Sequence, residues 1–426
     1  MIIKDKNSKL VYNSSEDTNA QINKTTAIWI GKNTTGEHVD PRLSTYTVKI
    51  IVKYRNMTVN DTHNVTVLPN KVIVVVDEER MKAPYTVNDV DNLMTDLKDY
   101  CCRNSGTLYN LTKVRHDFNA KSGLNDAFIY RQLHQWLHYP PYVERRLENV
   151  TKFMTQNNNV SILLVGNDNV TPYHRMSAIL LFGAAGWEDD YTYIPGNILW
   201  TDFPYSEITG DNNLDVPVTR LEGDPEVMMK QLESTKTQYR GTKTLLAIKW
   251  GRPSTRTNHN TLRNNLINMW GFGANVSYYN ETRGPNVSIA DKIIGGSSYL
   301  DRFDDGNVVM YVAAHGNDYK ELGKNVQILA DDNATHKIFL YPNNVSLWAS
   351  HPLFVTKACH GACTYLGDTN TTSIPIALLA DGAVGFVGWR AYGPTKAGAD
   401  FFSNYYFPRL RVKNKVGDAL MKAKNR

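Results

Sequence analysis

Lys71-Val-Ile-Val-Val-Val-Asp77 is an unbroken apolar run closed by an acidic residue. A strand that faces water on one side alternates apolar and polar residues. An unbroken run belongs instead to a strand covered on both faces, which is the usual state of a strand in a parallel sheet. Similar runs recur at 160–166, 216–221, 244–250, 307–314, 353–358 and 383–388. Between them lie stretches with apolar residues at helical spacing, at 90–101, 126–137, 225–239, 258–269, 374–379 and 397–406. Strands alternating with helices imply βαβ units. The expected fold is therefore α/β, a doubly wound three-layer α/β/α arrangement with mainly parallel strands. Ligands of such sheets sit beyond the carboxyl ends of the strands, so chemistry is to be sought there.

The first 70 residues read differently. Thr45-Tyr-Thr-Val-Lys-Ile-Ile-Val-Lys-Tyr54 alternates roughly with period two, and shorter strand-like runs occupy 27–30 and 65–68. Turn residues separate them, which predicts a small β-sandwich-like or Ig-like module of structural role. The expected division is a β-rich module at 1–70, a first α/β subdomain at 71–240 and a second at 241–426.

The composition is that of a globular protein, with 42% hydrophobic and 21% charged residues among 426. The net charge of +5 is spread along the chain. Arg409, Arg411, Lys413, Lys415, Lys422 and Lys424 form its densest stretch, and they read as the solvated face of a helix. Phosphate recognition needs clustered positive charge, so a nucleic-acid partner is not expected. No apolar stretch approaches the ~18 residues that suggest a membrane span.

Asn-X-Ser/Thr occurs sixteen times, at Asn13, Asn23, Asn33, Asn56, Asn60, Asn64, Asn110, Asn149, Asn159, Asn169, Asn275, Asn280, Asn286, Asn333, Asn344 and Asn370. A chain with 42 Asn would carry about five or six by chance. The excess predicts an extracellular or cell-surface protein bearing N-linked glycans. Residues 1–10 hold no apolar signal core, so an export signal is expected to have been removed or to lie outside this sequence. Four cysteines, Cys101, Cys102, Cys359 and Cys363, are too few for a disulfide scaffold, which leaves the fold to its hydrophobic core.

Two of the buried runs end in reactive residues: Ala313-Ala-His-Gly-Asn-Asp318, and Lys357-Ala-Cys-His-Gly-Ala-Cys363. A thiolate is a strong nucleophile, and an imidazole beside it handles the proton. On neighbouring strands, His315 and Cys359 would overhang one cleft. A glycine in each of the two loops lets the backbone turn and present N–H groups to a developing oxyanion. Cys363 is the competing nucleophile, and Cys359, His360 and Cys363 the competing metal set, although no second pair of ligands stands at zinc spacing. Asp211-Asn-Asn-Leu-Asp215 offers oxygen ligands from Asp211, Asn213 and Asp215 to a hard cation such as a structural Ca²⁺, against the plainer reading of solvated turn residues. Gly271-Phe-Gly273 lacks the third glycine of a dinucleotide fingerprint, and no Gly-X-Ser-X-Gly elbow of a serine hydrolase is present. Trp187, Tyr191 and Tyr193, between 183 and 195, read as packing residues before they read as a peptide groove.

An apolar strand ending in His-Gly, followed by one ending in Ala-Cys, resembles the signature of the caspase-like clan of cysteine peptidases. The wider context is similar to the gingipain family of that clan. Leu163-Leu-Val-Gly-Asn-Asp-Asn-Val-Thr-Pro172 resembles its "Leu-Leu-Val-Gly-Asp-X-X-X-Val-Pro" block, and 200–221 its "Gly-Asp…Pro-Asp-Val-X-Val-Gly-Arg-Leu" block. Gly382-Ala-Val-Gly-Phe-Val-Gly-Trp-Arg-Ala-Tyr392 resembles its last strand and pocket wall, and the blocks keep their order from about residue 71 onward. Thr219 departs from the family's glycine. The family also continues past the "Gly-X-Ala-Leu" helix, here Gly417-Asp-Ala-Leu420, so a fragment or processed product is expected.

The resemblance implies Cys359 as nucleophile, His315 as general acid/base and an oxyanion hole from the amides of Gly316 and Cys359. It implies an acidic residue orienting the histidine, with Asp215 and Asp211 both in the right block, and Trp389 and Tyr392 as substrate-pocket walls. The expected function is an exported cysteine endopeptidase acting on protein or peptide substrates and needing no cofactor. The alternative is a catalytically silent glycosylated surface or assembly protein on the same fold.

Overall fold

The computed structural model describes residues 2–5, 10–13, 45–54, 57–66, 72–122, 160–168, 170–177, 198–207, 214–235, 243–248, 261, 264, 276–280, 307–313, 315–319, 326–330, 338–340, 342, 352–358, 362, 372–388, 401–411 and 416–425. The chain forms two compact units, Met1–Lys71 and Val72–Arg426.

The first unit holds β1 (Ile2–Asp5), β2 (Leu10–Asn13), β3 (Thr45–Tyr54) and β4 (Met57–Thr66) in one antiparallel sheet of order β2-β1-β3-β4. The run at 45–54 is β3, a ten-residue strand paired along its whole length with β4. The run expected at 27–30 lies outside the described residues.

The second unit is α/β with mainly parallel sheets. Its first sheet comprises β5 (Val72–Val76), β6 (Gly106–Asn110), β7 (Ser161–Val165) and β10 (Val218–Leu221), all parallel, in the order β10-β7-β5-β6. The apolar run at 71–77 is β5, and its alternate residues serve two different cores. Val72, Val74 and Val76 pack with Val90, Leu93, Met94 and Leu97 of α2 (Val87–Arg103) and with Met228 and Leu232 of α5 (Pro225–Ser234). Ile73 and Val75 pack on the opposite face with Val114 and Phe118 of α3 (Thr112–Ser122) and with Tyr205 of α4 (Phe203–Ser206). Helices thus cover both faces of this sheet. Ile73 and the three valines from 74 to 76 are fully buried, each worth roughly 1.5–3 kcal/mol of transfer free energy. Asp77 stops the strand because its carboxylate accepts the N–H of Arg80, capping α1 (Glu78–Met81).

The second sheet comprises β11 (Lys243–Ile248), β12 (Val276–Asn280), β13 (Asn307–Ala313), β17 (Leu353–Thr356) and β18 (Gly385–Val387), all parallel, in the order β12-β11-β13-β17-β18. One face of it, through Val309, Tyr311, Ala313, Leu353 and Val355, packs on a π-helical turn (Phe401–Tyr406), on α7 (Phe407–Arg411) and on α8 (Val416–Lys424). Phe402 and Phe407 each make edge contacts with Tyr311 and with Tyr406, which fills this layer with rings. Helix α6 (Ile374–Ala380) packs against β18 and against α5, and so joins the two halves of the unit. The amide of Asn425 also brackets Leu214, accepting from its N–H and donating to its carbonyl, both at 2.7 Å.

Two smaller antiparallel sheets complete the described residues. β8 (His174–Ser177) pairs with β9 (Ile198–Thr201), and β14 (His315–Tyr319), β15 (Val326–Ala330) and β16 (Ile338–Leu340) form a meander. The helix expected at 126–137 lies outside the described residues, and of 258–269 only 261 and 264 are described, both helical.

Candidate active site and two ion pairs

Strands β13 and β17 are adjacent and parallel, with Val309 opposite Leu353 and Val312 opposite Thr356. The Thr356 hydroxyl donates to the Val312 carbonyl at 2.9 Å and accepts the N–H of Ala358 at 3.1 Å. The N–H of Lys357 donates to the same carbonyl at 3.2 Å. The two bonds to the Val312 carbonyl tie the carboxyl ends of the two strands together at fixed register. His315 stands three positions after Val312, and position 359 stands three after Thr356.

His315 opens β14, opposite Ala330, and Gly316 is opposite Leu329. The sequence places this glycine in a loop, whereas the structure places it in a strand. The polar run His-Gly-Asn-Asp-Tyr shows no apolar alternation of its own, and it is a strand through its antiparallel pairing with β15. Cys359, Cys363 and His360 lie outside the described residues, as do Trp389, Tyr392, Asp211, Asn213 and the loop carrying Trp187, Tyr191 and Tyr193.

Asp215 lies ahead of β10, at that strand's amino end, where its N–H donates to the Ser206 carbonyl at 2.8 Å. Among the described residues, no group of three or more His, Cys, Asp or Glu side chains is placed to hold a metal ion. Cys101 is buried on the inner face of α2, and burial pushes its thiol up to about 11, whereas Cys102 is exposed. Of the sequons, Asn110 is exposed at the end of β6. Asn13, Asn60, Asn64 and Asn280 lie in strands β2, β4, β4 and β12, and the others lie outside the described residues.

Two ion pairs at the carboxyl end of the first sheet, one buried and one half-buried, had no counterpart in the sequence reading. Asp77, fully buried, accepts from Arg115 Nε at 2.7 Å and from the Thr112 hydroxyl at 2.9 Å. Arg115 reaches on to Glu79 at 2.8 Å, and Glu79 contacts His116 Nε2 at 2.6 Å. The His116 hydrogen bond holds the Glu79 carboxyl below its ordinary range, with burial opposing and Arg115 reinforcing the effect. The second pair is Arg220 with Asp202, where Nε donates to the carboxylate at 2.9 Å. Nη1 of Arg220 donates to the carbonyls of Gly166 and Thr171, each at 2.7 Å, and its guanidinium lies 3.8 Å over the Tyr173 ring. Burial alone would lower the guanidinium's proton affinity, but Asp202, Tyr173 and Glu222 together raise it. Tyr173 in turn donates to Glu222.

The one local signal for these pairs was Asp77, the acidic residue directly after β5. Asp168, three residues past β7, also turns inward, its carboxylate accepting the N–H of Tyr173 at 2.7 Å. With every polar arm of Asp77 and Arg220 engaged on protein groups, these networks fasten loops to the sheet.

No family model matches this chain, and no curated protein matches it.

Proposed function

We propose that the chain is an exported cysteine endopeptidase of caspase-like three-layer architecture, related to the gingipains, with Cys359 as nucleophile and His315 as its proton carrier. The observation that supports this most is the parallel β13–β17 pair: in the sequence, 315 and 359 each follow its bonded Val312–Thr356 rung by three residues. The carboxyl edge of a parallel sheet is where such folds bind ligands.

In this reading the Cys359 thiol gives its proton to His315, and sulfur attacks the carbonyl carbon of the scissile peptide. The amides of Gly316 and Cys359 stabilise the resulting oxyanion. The C–N bond then breaks, the leaving amine takes the proton from His315, and a thioester remains. Water attacks the thioester while His315 takes its proton. The carboxylic product departs, and the thiol is restored. Trp389 and Tyr392 are assigned to the pocket wall, and one of Asp211 or Asp215 to orienting the histidine. Asp211, Asn213 and Asp215 remain the residues for a structural Ca²⁺.

The test is turnover of a fluorogenic peptide library by the full chain. Cleavage should be lost in C359A and should fall by about 10²–10⁴-fold in H315A. A folded wild-type chain that cleaves no peptide in the library would instead favour a silent surface or assembly protein on the same fold, consistent with the sixteen sequons.

A further inference from the structure

The N-terminal sheet sorts its sequons by strand. Among the described residues the outer strands are β2 and β4, and the inner strands are β1 and β3. Asn13 is on β2, and Asn60 and Asn64 are on β4. Neither inner strand carries a sequon.

Register also puts all three asparagines on one face. Cross-strand partners share a face, and alternate residues along a strand share it too. Asn13 pairs with Ile2, Ile2 with Lys49 and Lys49 with Thr62. Asn60 and Asn64 flank Thr62 at two-residue spacing, and Thr62 is exposed. The opposite face holds the positions of Tyr12, Ile3, Tyr46, Val48, Ile50, Val52, Val59 and Val65, and no sequon asparagine.

We propose that Asn13, Asn60 and Asn64 carry N-linked glycans that cover one face of this sheet and close its two outer strands to strand addition. The proposal rests on the reading of the chain as an exported glycoprotein, and it names the sites and their effect. Among the described residues no strand follows β4 in the sheet order, and the outer side of a ten-residue strand is a template for pairing with a second chain. An added strand would lie ~4.8 Å away, with its side chains facing those of β4. Two glycans four residues apart on β4 occupy that lane. Charged residues do this service on many outer strands. Here β4 carries Asp61 and His63 as its only ionisable residues, both on the other face.

The experiment uses the full chain secreted from insect cells. Enzymatic glycan release in ¹⁸O water marks each occupied asparagine by mass, and light scattering on the intact glycoprotein gives its molar mass. The proposal expects Asn13, Asn60 and Asn64 to be marked. It also expects N60Q/N64Q to raise the molar mass at least twofold in a concentration-dependent way. T62A/T66A, which removes the same two sequons without altering either asparagine, should do likewise. Occupancy elsewhere with these three sites empty overturns the proposal and leaves the glycoprotein reading standing. So does unchanged mass in both double variants. A chain with none of its sixteen sequons occupied overturns both.

Discussion

Thr356 is bonded across the strand boundary to Val312: its hydroxyl donates to the Val312 carbonyl and accepts the Ala358 N–H, so one side chain bridges β13, β17 and the residue before position 359. T356V keeps the shape and the β-branching but removes both bonds, leaving a buried N–H and a carbonyl under-satisfied. The expected cost is about 1–3 kcal/mol. Peptide turnover should fall in T356V and recover in T356S, which keeps the hydroxyl. Chemical denaturation and peptide turnover, measured on the same preparations, check this.

Gly166 closes β7 at φ +87°, and a Cβ built there would lie 2.6 Å from the Val170 Cβ. The Gly166 carbonyl also receives Arg220. G166A should therefore cost about 1–3 kcal/mol from backbone strain alone, with the clash on top. G166A/V170A should recover the steric part and leave the strain. A thermal melt of the two variants beside the wild type separates the terms.

Asp77 and Arg115 form a buried pair whose partners differ by 38 in sequence. Removing one member of such a pair strands the other charge, at a cost of about 3–5 kcal/mol. D77N retains a capping side chain for α1, whereas D77A loses the cap as well, worth about 1 kcal/mol more. The order of stability should be wild type, D77N, D77A, read from urea midpoints at constant slope. Glu79, at the outer end of the same network, has a depressed carboxyl. Its contribution is present above the ordinary carboxylate value of 4.5 and is lost as pH falls through the folded-state value below it. The gap in urea midpoint between wild type and E79Q should narrow as pH falls below 4.5.

Cys101 and Cys102 are neighbours with opposite fates. Iodoacetamide at pH 8 should modify Cys102 in the native protein and leave Cys101 intact until the chain unfolds. Because burial raises the Cys101 thiol from 9.0 to about 11, the folded state holds its proton longer than the unfolded chain does. Stability should decline as pH rises from 9 towards 11, and C101S or C101A should flatten that decline. Peptide mapping by mass and a pH series of melts are the measurements.

The α/β class was legible because the signal was local. Five apolar residues in a row at Val72–Val76, and the run at Leu353–Thr356, meet one requirement, burial on both faces. Helix α2 was legible from Val90, Leu93, Met94, Leu97 and Cys101, whose spacing repeats its turn. Strand β6 was missed because Gly-Thr-Leu-Tyr-Asn is partly exposed at the outer edge of its sheet and has no apolar run to show. The β14–β15–β16 meander was missed because its first strand is polar. The Phe401–Tyr406 turn was read as ordinary helix, since a π-turn and an α-turn bury the same rings. The Arg115–Asp77 and Arg220–Asp202 pairs join residues far apart in the chain, and no pattern along a single segment encodes that. Within the candidate site, the nature of both reactive side chains was written in the sequence. The pairing of their strands required the fold.

The most direct measurement is the rate at which Cys359 is alkylated by iodoacetamide at pH 7, with exposed Cys102 of the same molecule as internal standard. A dyad predicts that Cys359 reacts at least tenfold faster than Cys102, and that H315A brings it down to the rate of Cys102. Equal rates in both proteins, or a Cys359 held in a disulfide with Cys363, would contradict it.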